Sequence, residues 1–146
     1  FPARDLLAPA AAYLARGGKA SVLGRLVEDW QVLKGLKPQV SQSPPFILGS
    51  VAYIDSYGNL LTTINQELFE RQRQGRGFTI ELPRQQRISR LHQHYDEISE
   101  GKVLALFNSM GLLEIAVKDP ISKRYGGAHS LLGMEVRDAV RVTFQE

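Results

Sequence analysis

Two polar turns contain the residue types that can bind a small polar ligand. The first, Asp55-Ser-Tyr-Gly-Asn59, places a carboxylate and a carboxamide four residues apart, directly after an apolar run. A carboxamide offers both a donor and an acceptor, as the edge of an adenine ring does, and a carboxylate at a strand end can hold an ammonium group. The same side chains are also common turn formers that bond to backbone amides. This motif alone leaves both interpretations open.

The second polar turn, Asn108-Ser-Met-Gly111, lies between two apolar runs. The hydroxyl of Ser109 and the backbone amides of the turn are donors that can cradle a carboxylate. Asn and Gly are also the residues that a hairpin turn requires. Taken alone, this segment is better explained as a hairpin turn than as a binding site.

Two histidines close in sequence are candidates for a metal site. On a strand, His92 and His94 would share one face, and imidazole is a common metal ligand. Only Asp96 or Glu97 stands close enough in sequence to add a third ligand. A surface pair of histidines is the preferred interpretation, and we predict no metal site. The chain also lacks a nucleophile elbow and a phosphate-binding loop.

Composition excludes several classes of protein. The 146 residues are 43% hydrophobic and 23% charged, with a net charge of +3 and no cysteine. The densest basic stretch, residues 71–90, contains only one aromatic residue, Phe78, whereas a nucleic-acid platform interleaves basic and aromatic side chains. No run approaches the roughly 18 apolar residues of a membrane span. We therefore predict a cytoplasmic protein that binds neither nucleic acid nor membrane.

The elements divide the chain into two regions. Residues 6–14 are good helix formers with Asp5 as a candidate N-cap, and residues 38–45 form a polar, proline-containing linker. From residue 46 onward, β-branched and aromatic runs alternate with turn residues. We predict a mainly β fold, an antiparallel barrel or sandwich at 46–146, preceded by a loop, helix and linker at 1–45. Strands are predicted at 46–55, 60–64, 78–82, 102–107, 112–117 and 138–144, and short helices at 67–72 and 128–132.

Five segments stand in order along the chain: FPARDLLAPAAAYLA at 1–15, VAYIDSYGNLLTTI at 51–64, YDEISEG at 95–101, NSMGLLEIAV at 108–117 and AHSLLG at 128–133. Together they resemble the family of S-adenosylmethionine (SAM) hydroxide adenosyltransferases and SAM-dependent fluorinases and chlorinases. The second segment is similar to the family pattern V-x-Y-I-D-x-F-G-N-x-x-T-N-I, and the fourth to N-S-x-G-x-L-E-I-A-V. One such motif would be weakly specific, whereas five in order are strongly so.

The resemblance implies a fold, an assembly and a ligand. Members of this family have an N-terminal α/β domain and a C-terminal β-barrel domain, and they form homotrimers that bind SAM between neighbouring subunits. The chain, which begins at Phe1 rather than methionine, would then be the C-terminal half of such a protein, inactive alone. SAM would be a substrate that yields adenosine and L-methionine, and no cofactor is expected.

The resemblance also implies roles for individual residues. Asp55 and Ser109 would hold the methionine amine and carboxylate, and Asn59 would read the adenine edge. Tyr57 and Tyr95 would flank the adenine ring, and the backbone of Val117, Lys118 and Asp119 would complete its recognition. Met110 stands where the halogenases have a carboxylate-binding arginine, which argues against a halogenase.

The positions that match the family's catalytic residues depart from the family pattern. Hydroxide adenosyltransferases handle the attacking water with an Asp–Arg–His group, whose histidine falls at Pro2 in this chain. The halide-binding serine of the halogenases falls at Ala3. Two hypotheses therefore stand: a SAM hydrolase whose activity needs the other half of the protein and tolerates Pro2, and a member that has lost catalysis and binds SAM or adenosine. A nucleic-acid-binding barrel remains a third if the resemblance is spurious.

Overall fold

The computed structural model describes residues 1–25, 37–118 and 127–145. By their contacts the residues group into two compact units, Phe1–Lys34 and Gly35–Glu146. The described part of the N-terminal unit is helical, with a π-helical turn Ala3–Leu7, α1 Ala8–Ala15 and α2 Ala20–Leu23.

The predicted N-terminal helix is confirmed, but it begins earlier than expected. Pro2 already has helical backbone angles, and the turn Ala3–Leu7 leads directly into α1. Proline suits a first helical position because its φ is fixed and its missing N–H would have no partner there. Asp5 lies inside the helical segment, where its carboxylate accepts hydrogen bonds from Arg4 Nε at 2.6 Å and from Arg4 Nη2 at 3.1 Å. The predicted N-cap at Asp5 is therefore wrong.

The second unit is built from β-strands. All six predicted strands and both predicted short helices are present, and two further strands, β1 and β5, were not predicted. The elements are β1 Gln39–Gln42, β2 Pro45–Ile54, β3 Leu60–Asn65, α3 Gln66–Arg73, β4 Phe78–Glu81, β5 Arg87–Ile88, a 3-10 turn Tyr95–Glu97, β6 Val103–Phe107, β7 Leu112–Val117, α4 Gly127–Leu132 and β8 Ala139–Phe144.

One antiparallel sheet runs in the order β5-β4-β8-β2-β3-β7-β6, and β1 pairs with β2 beside it. The two ends of this order approach each other, because the chain just after β5 donates from the His92 amide to the Ala105 carbonyl of β6 at 2.8 Å. The sheet is thus nearly closed into a barrel, which confirms the predicted fold class. Closure protects the edge strands, which would otherwise expose unpaired peptide groups.

The interior of the sheet is a single apolar cluster. Alternate residues of β2 and β8 face inward, among them the fully buried Ile47, Val51 and Val140. Phe69 of α3 is completely buried and packs edge-on against Phe78, Phe107 and Phe144, with ring centroids 5.1–5.7 Å apart. A smaller cluster of Leu104, Leu106 and Ala116 lies on the other face of β6 and β7, covered by Ile98. Side chains of β6 and β7 therefore alternate between two buried faces.

The stretch expected to be a linker belongs with the sheet. Residues 39–42 form β1, which pairs with the start of β2 through Gln39 opposite Leu48 and Gln42 opposite Pro45. The extended conformation expected of a proline-bearing segment is retained, but its backbone is paired.

Candidate functional site

The turn between β2 and β3 is shaped by the side chain of Asp55. Its Oδ1 accepts the backbone amides of Tyr57 at 2.9 Å and Asn59 at 2.8 Å, and its Oδ2 accepts Asn59 Nδ2 at 3.0 Å. Such bonds from an aspartate to the amides that follow it close a tight turn. A carboxamide has two donor hydrogens and an oxygen acceptor, so Asn59 retains one hydrogen and Oδ1 for a ligand.

Helix α4 supports this turn from behind. The His129 amide donates to the Gly58 carbonyl at 2.9 Å, and His129 Nδ1 lies 2.6 Å from the Met134 carbonyl oxygen. Gly127, the first residue of α4, has a φ of +60° and faces the carbonyl of Tyr57 so closely that a β-carbon would overlap it. The turn is therefore held by its own aspartate and by backbone contacts from α4.

The turn between β6 and β7 is shaped by Asn108 in a similar way. Asn108 Oδ1 accepts the amides of Met110 at 3.0 Å and Leu112 at 3.1 Å, and the Gly111 amide donates to the Asn108 carbonyl at 2.8 Å. The side chains of Ser109 and Met110 are exposed at the tip of this turn. Asn108 thus positions the two residues that the sequence singled out.

A buried carboxylate joins the second turn to the segment that precedes β6. Glu114 on β7 is only 5% exposed. Its Oε1 accepts the phenol hydrogen of Tyr95 at 2.5 Å, and its Oε2 accepts Asn108 Nδ2 at 3.1 Å. Buried carboxylates are tolerated when their oxygens are hydrogen-bonded, and here both oxygens are. Glu114 therefore ties the 3-10 turn at Tyr95 to the turn at Asn108.

These residues line two adjoining clefts. The first, of about 480 Å³, is lined by Asp55, Tyr57, Asn59, Tyr95, Asp96, Glu114, Val117 and Lys118. The second, of about 500 Å³, contains Ser109 and Met110 and shares Asp55, Tyr95 and Glu114 with the first. Both volumes fall in the range of small-molecule sites. The structure thus brings the two polar turns, 50 residues apart in sequence, to one composite cleft.

The peptide groups at the end of β7 face in alternate directions. The Lys118 amide donates to the Lys102 carbonyl at 3.1 Å, and its carbonyl accepts from the Gly101 amide at 2.8 Å, so both are used in pairing toward β6. Because peptide groups alternate along a strand, those of Val117 point away from β6. Of the stretch expected to read adenine, Val117 and Lys118 both line the first cleft, and Asp119 lies outside the described residues.

Two predicted site residues belong to the other unit. Pro2 and Ala3 lie at the start of the N-terminal helical segment, within Phe1–Lys34. Both are exposed.

The composite cleft is rich in negative groups. Among the described residues, Asp55, Asp96 and Glu114 line it, together with Lys118, whose ammonium donates to the Asp96 carbonyl at 3.2 Å. Burial raises the pKa of the Tyr95 phenol above its usual value, and the hydrogen bond to Glu114 and the charges of Glu114 and Asp55 add to this rise. The phenol therefore remains a neutral donor to Glu114 at physiological pH, and the cleft electrostatically favours a ligand that carries positive charge.

Sequence reasoning missed Glu114 and the supporting residues of α4. A signal for Glu114 was present, because a lone acidic residue stands in the apolar run Leu112–Val117. Lone charges are almost never buried without a partner, so a polar contact was required there. Gly127 and His129 gave no such signal, since their role depends on contacts with a turn about 70 residues earlier.

His94 of the histidine pair lies directly before the 3-10 turn Tyr95–Glu97. It is exposed, its backbone carbonyl accepts the Glu97 amide at 3.5 Å, and the Glu97 side chain accepts the amides of Gln93 and His94. Across residues 1–25, 37–118 and 127–145, no three His, Cys, Asp or Glu side chains cluster as metal ligands. Over the same ranges no helix is both long and apolar enough to cross a membrane.

Comparison with known families identifies the chain. The family model for the SAM hydroxide adenosyltransferase C-terminal domain matches residues 49–141, which include both polar turns, Tyr95 and Glu114. The chain belongs to this family. The resemblance stated from the sequence is thereby confirmed.

Relatives with curated names agree with the family. The chain is 29% identical to a protein of Salinispora tropica and 33% identical to one of Thermus thermophilus, both named (R)-S-adenosyl-L-methionine hydrolase. These matches cover 98% and 97% of the chain but 50% and 48% of the relatives. The chain therefore spans about half the length of the curated SAM hydrolases that it matches.

Solved structures share the fold. An uncharacterized conserved protein from Thermotoga maritima superposes with a TM-score of 0.66 at 27% identity, over 98% of this chain and 52% of that one. A conserved hypothetical protein from Thermus thermophilus gives a TM-score of 0.57 at 28% identity, over 99% and 53%.

Proposed function

We propose that this chain forms the adenine- and methionine-binding side of a SAM hydroxide adenosyltransferase, which hydrolyses SAM to adenosine and L-methionine. The observation that carries the proposal is the composite cleft, in which Asp55, Tyr95 and Glu114 connect a compartment containing Asn59 to one containing Ser109. Membership of the family and the names of the relatives support the same ligand.

The first compartment has the chemistry for adenosine. Asn59 retains a donor and an acceptor beside each other, which suits the adjacent acceptor and donor of an adenine edge. Tyr57 and Tyr95 supply aromatic walls, and their exposed fractions of 79% and 45% leave ring surface for stacking. Aromatic rings stack on nucleobases with a free energy of about 1–3 kcal/mol per base.

The second compartment has the chemistry for the amino-acid part of SAM. Among the described residues, Asp55 Oδ2 accepts Asn59 Nδ2 alone, which leaves lone-pair capacity for an ammonium group. Ser109 presents its hydroxyl at the tip of a turn, where it can donate to a carboxylate. Met110 offers no charge at the position of the halogenase arginine. The acidic lining also suits the positive sulfonium that joins the two parts of the ligand.

The reaction requires little covalent chemistry from the protein. Water attacks the ribose C5′, and the new C–O bond forms as the C5′–S bond breaks. The electron pair of the broken bond passes to the sulfonium sulfur, which becomes the neutral thioether of methionine, and the attacking water loses one proton. Because the sulfonium is already a good leaving group, rate enhancement comes mainly from orientation and exclusion of bulk water. The residues of this chain would hold the two ends of SAM so that C5′ is fixed between them.

Two further features belong to the proposal. The full-length protein would be a homotrimer in the cytoplasm, with the neighbouring subunit covering the open side of the cleft, where Tyr57 and Met110 are largely exposed. Light scattering on the full-length protein would give three times the subunit mass. The chain of residues 1–146 alone would release no adenosine from SAM above background.

Pro2 supports a second candidate, a family member that binds SAM or adenosine without turnover. Proline has no proton to exchange, and general acid–base assistance is worth about 10²–10⁴-fold. Pro2→His in the full-length protein separates the two functions. A gain of about tenfold or more in adenosine release supports a weakened hydrolase. No gain in a variant that folds and binds SAM normally means that histidine is dispensable there or that the site only binds, and the activity of the unaltered protein then distinguishes these two.

A titration of the full-length protein with SAM tests the proposed function directly. Calorimetry should detect binding of both SAM and adenosine, and chromatography should detect adenosine and methionine in equal amounts. Binding of neither ligand would overturn both the hydrolase and the binding-protein hypotheses.

A further inference from the structure

Glu114 occupies a position that no proposed ligand contact explains. It is buried, it lies on β7 between the two compartments, and it bonds to a residue of each wall, Tyr95 and Asn108. Each of its two oxygens accepts one of these hydrogen bonds, Oε1 from Tyr95 and Oε2 from Asn108. A residue needed only for packing would be apolar on this face of β7, where Ala116, two residues further on, is fully buried.

The bond to Tyr95 fixes both the ring and its proton. Tyr95 belongs to a short 3-10 turn and is 45% exposed, so packing covers only part of the residue. Donation to a buried carboxylate is among the stronger hydrogen bonds. Because the phenol hydrogen points at Glu114, the hydroxyl oxygen presents only acceptor lone pairs to the cleft.

The bond to Asn108 acts on the other compartment. Asn108 has two roles at once, since Oδ1 closes the turn through Met110 and Leu112 while Nδ2 donates to Glu114. Glu114 therefore fixes the rotation of the carboxamide that sets the position of Ser109.

We propose, on the basis of the function above, that Glu114 is a positioning residue that couples the two compartments by holding Tyr95 and Asn108 at the same time. A single substitution there weakens recognition of adenosine and of methionine together. Substitutions at Asn59 or Ser109, each of which lines one compartment, by contrast weaken one part each.

Calorimetry on the full-length protein tests the coupling. Adenosine is titrated first, and methionine is then titrated into protein saturated with adenosine. Glu114→Gln, which keeps the shape of the side chain, should weaken each affinity by about fivefold to tenfold, as expected when a charged hydrogen bond is lost. Asn59→Ala should weaken adenosine binding alone, and Ser109→Ala methionine binding alone. Unchanged affinities in a Glu114→Gln protein that melts normally would overturn the proposal.

A double-mutant cycle separates positioning from general loss of stability. In a Tyr95→Phe protein, Glu114→Gln should have little further effect on adenosine binding, because the bond through which it acts is gone, but should still weaken methionine binding through Asn108. Full additivity for adenosine, with the same loss as in the unaltered background, would contradict the mechanism.

A spectroscopic measurement keeps the inference independent of ligand binding. The absorbance change of tyrosine ionisation is recorded in alkaline solution while circular dichroism reports a folded protein, and the signal of Tyr95 is taken as the difference from Tyr95→Phe. Glu114→Gln should bring the pKa of Tyr95 down toward its usual value near 10. If adenosine and methionine do not bind but this shift occurs, the proposed function fails while the link between Tyr95 and Glu114 stands. An unchanged Tyr95 titration overturns the link.

Discussion

Asn59 donates one carboxamide hydrogen to Asp55 Oδ2 across 3.0 Å, while Asp55 Oδ1 accepts the Asn59 backbone amide at 2.8 Å. The two residues therefore hold each other, and the remaining carboxamide groups of Asn59 face a cleft whose other walls are Tyr57 and Tyr95. The two interpretations of this motif, turn former and ligand contact, are compatible because each residue has enough donors and acceptors for both.

Asn59→Ala tests the ligand role of this pair. The substitution removes the hydrogen-bond partner of a buried adenine edge. We expect the binding free energy of adenosine to become less favourable by about 1–3 kcal/mol. Calorimetry on the full-length protein measures the change. Asn65→Ala is the matched control, because the Asn65 side chain caps α3 by accepting the Leu68 amide at 2.7 Å and lies in neither cleft. Equal adenosine affinity in the Asn59 variant and the unaltered protein would remove Asn59 from the site.

Gly127→Ala tests the support that α4 gives to the same turn. A β-carbon at residue 127 would overlap the Tyr57 carbonyl oxygen, so the turn must move. Gly75→Ala is the control: its φ of +78° imposes a similar backbone strain, but no atom lies within 4 Å of the added carbon. Both variants should lose about 1–2 kcal/mol of stability from the left-handed backbone, and Gly127→Ala should lose more. Only Gly127→Ala should weaken adenosine binding. An equal loss of adenosine affinity in both variants would contradict the account.

Phe69→Ala tests the interior of the barrel. Phe69 is completely buried among three other phenylalanine rings, and removing it should lower the free energy of unfolding by about 3–5 kcal/mol. Val40→Ala on β1, at a side chain that is 40% exposed, should change it by less than about 0.5 kcal/mol. Denaturant unfolding measures both. A loss below about 1 kcal/mol at Phe69 would mean that the core is arranged differently.

Low pH should destabilise the 3-10 turn that contains Tyr95. The amides of His94 and Gln93 donate to Glu97, and these bonds, with a smaller contribution from Arg90, lower the pKa of Glu97. A carboxyl whose pKa is lower in the folded state stabilises the fold above its unfolded pKa, and this stabilisation is lost as pH falls through the folded value.

The effect is measured by comparing the unaltered protein with the Glu97→Gln variant at different pH values. The difference in unfolding free energy between the unaltered protein and this variant should be largest near neutral pH and should shrink once the pH falls below the usual glutamate pKa of about 4.3. A difference that stays constant from pH 7 to pH 3 would show that ionised Glu97 does not hold the turn.

The sequence predicted the elements whose local pattern is strong. Strands β2 and β3 were predicted closely because β-branched and aromatic residues end at a clear turn, Asp55 to Asn59. The strands β1 and β5 were missed because Gln39–Gln42 is mainly polar and Arg87–Ile88 has only two residues. Pairing with neighbouring strands, rather than local preference, determines these two elements.

Prediction of the site from the sequence required information of two kinds. The residue types of Asp55, Asn59 and Asn108 indicated polar turns, but the meeting of the turns follows from β3 pairing with β7, which no local pattern contains. Resemblance to the family supplied that missing long-range information. It did not supply Glu114, whose importance depends on contacts with Tyr95 and Asn108 that only the folded chain reveals.

Hydrolysis of SAM by the full-length protein in water enriched with oxygen-18 tests the central claim most directly. The account predicts that adenosine and methionine accumulate in equal amounts and that the label enters the 5′-hydroxyl of adenosine, because water attacks C5′. Asn59→Ala and Ser109→Ala should slow this release, while Asn65→Ala should not. Tight SAM binding without any labelled adenosine would favour the binding protein over the hydrolase, and a protein that neither binds nor hydrolyses SAM would contradict the assignment of the composite cleft.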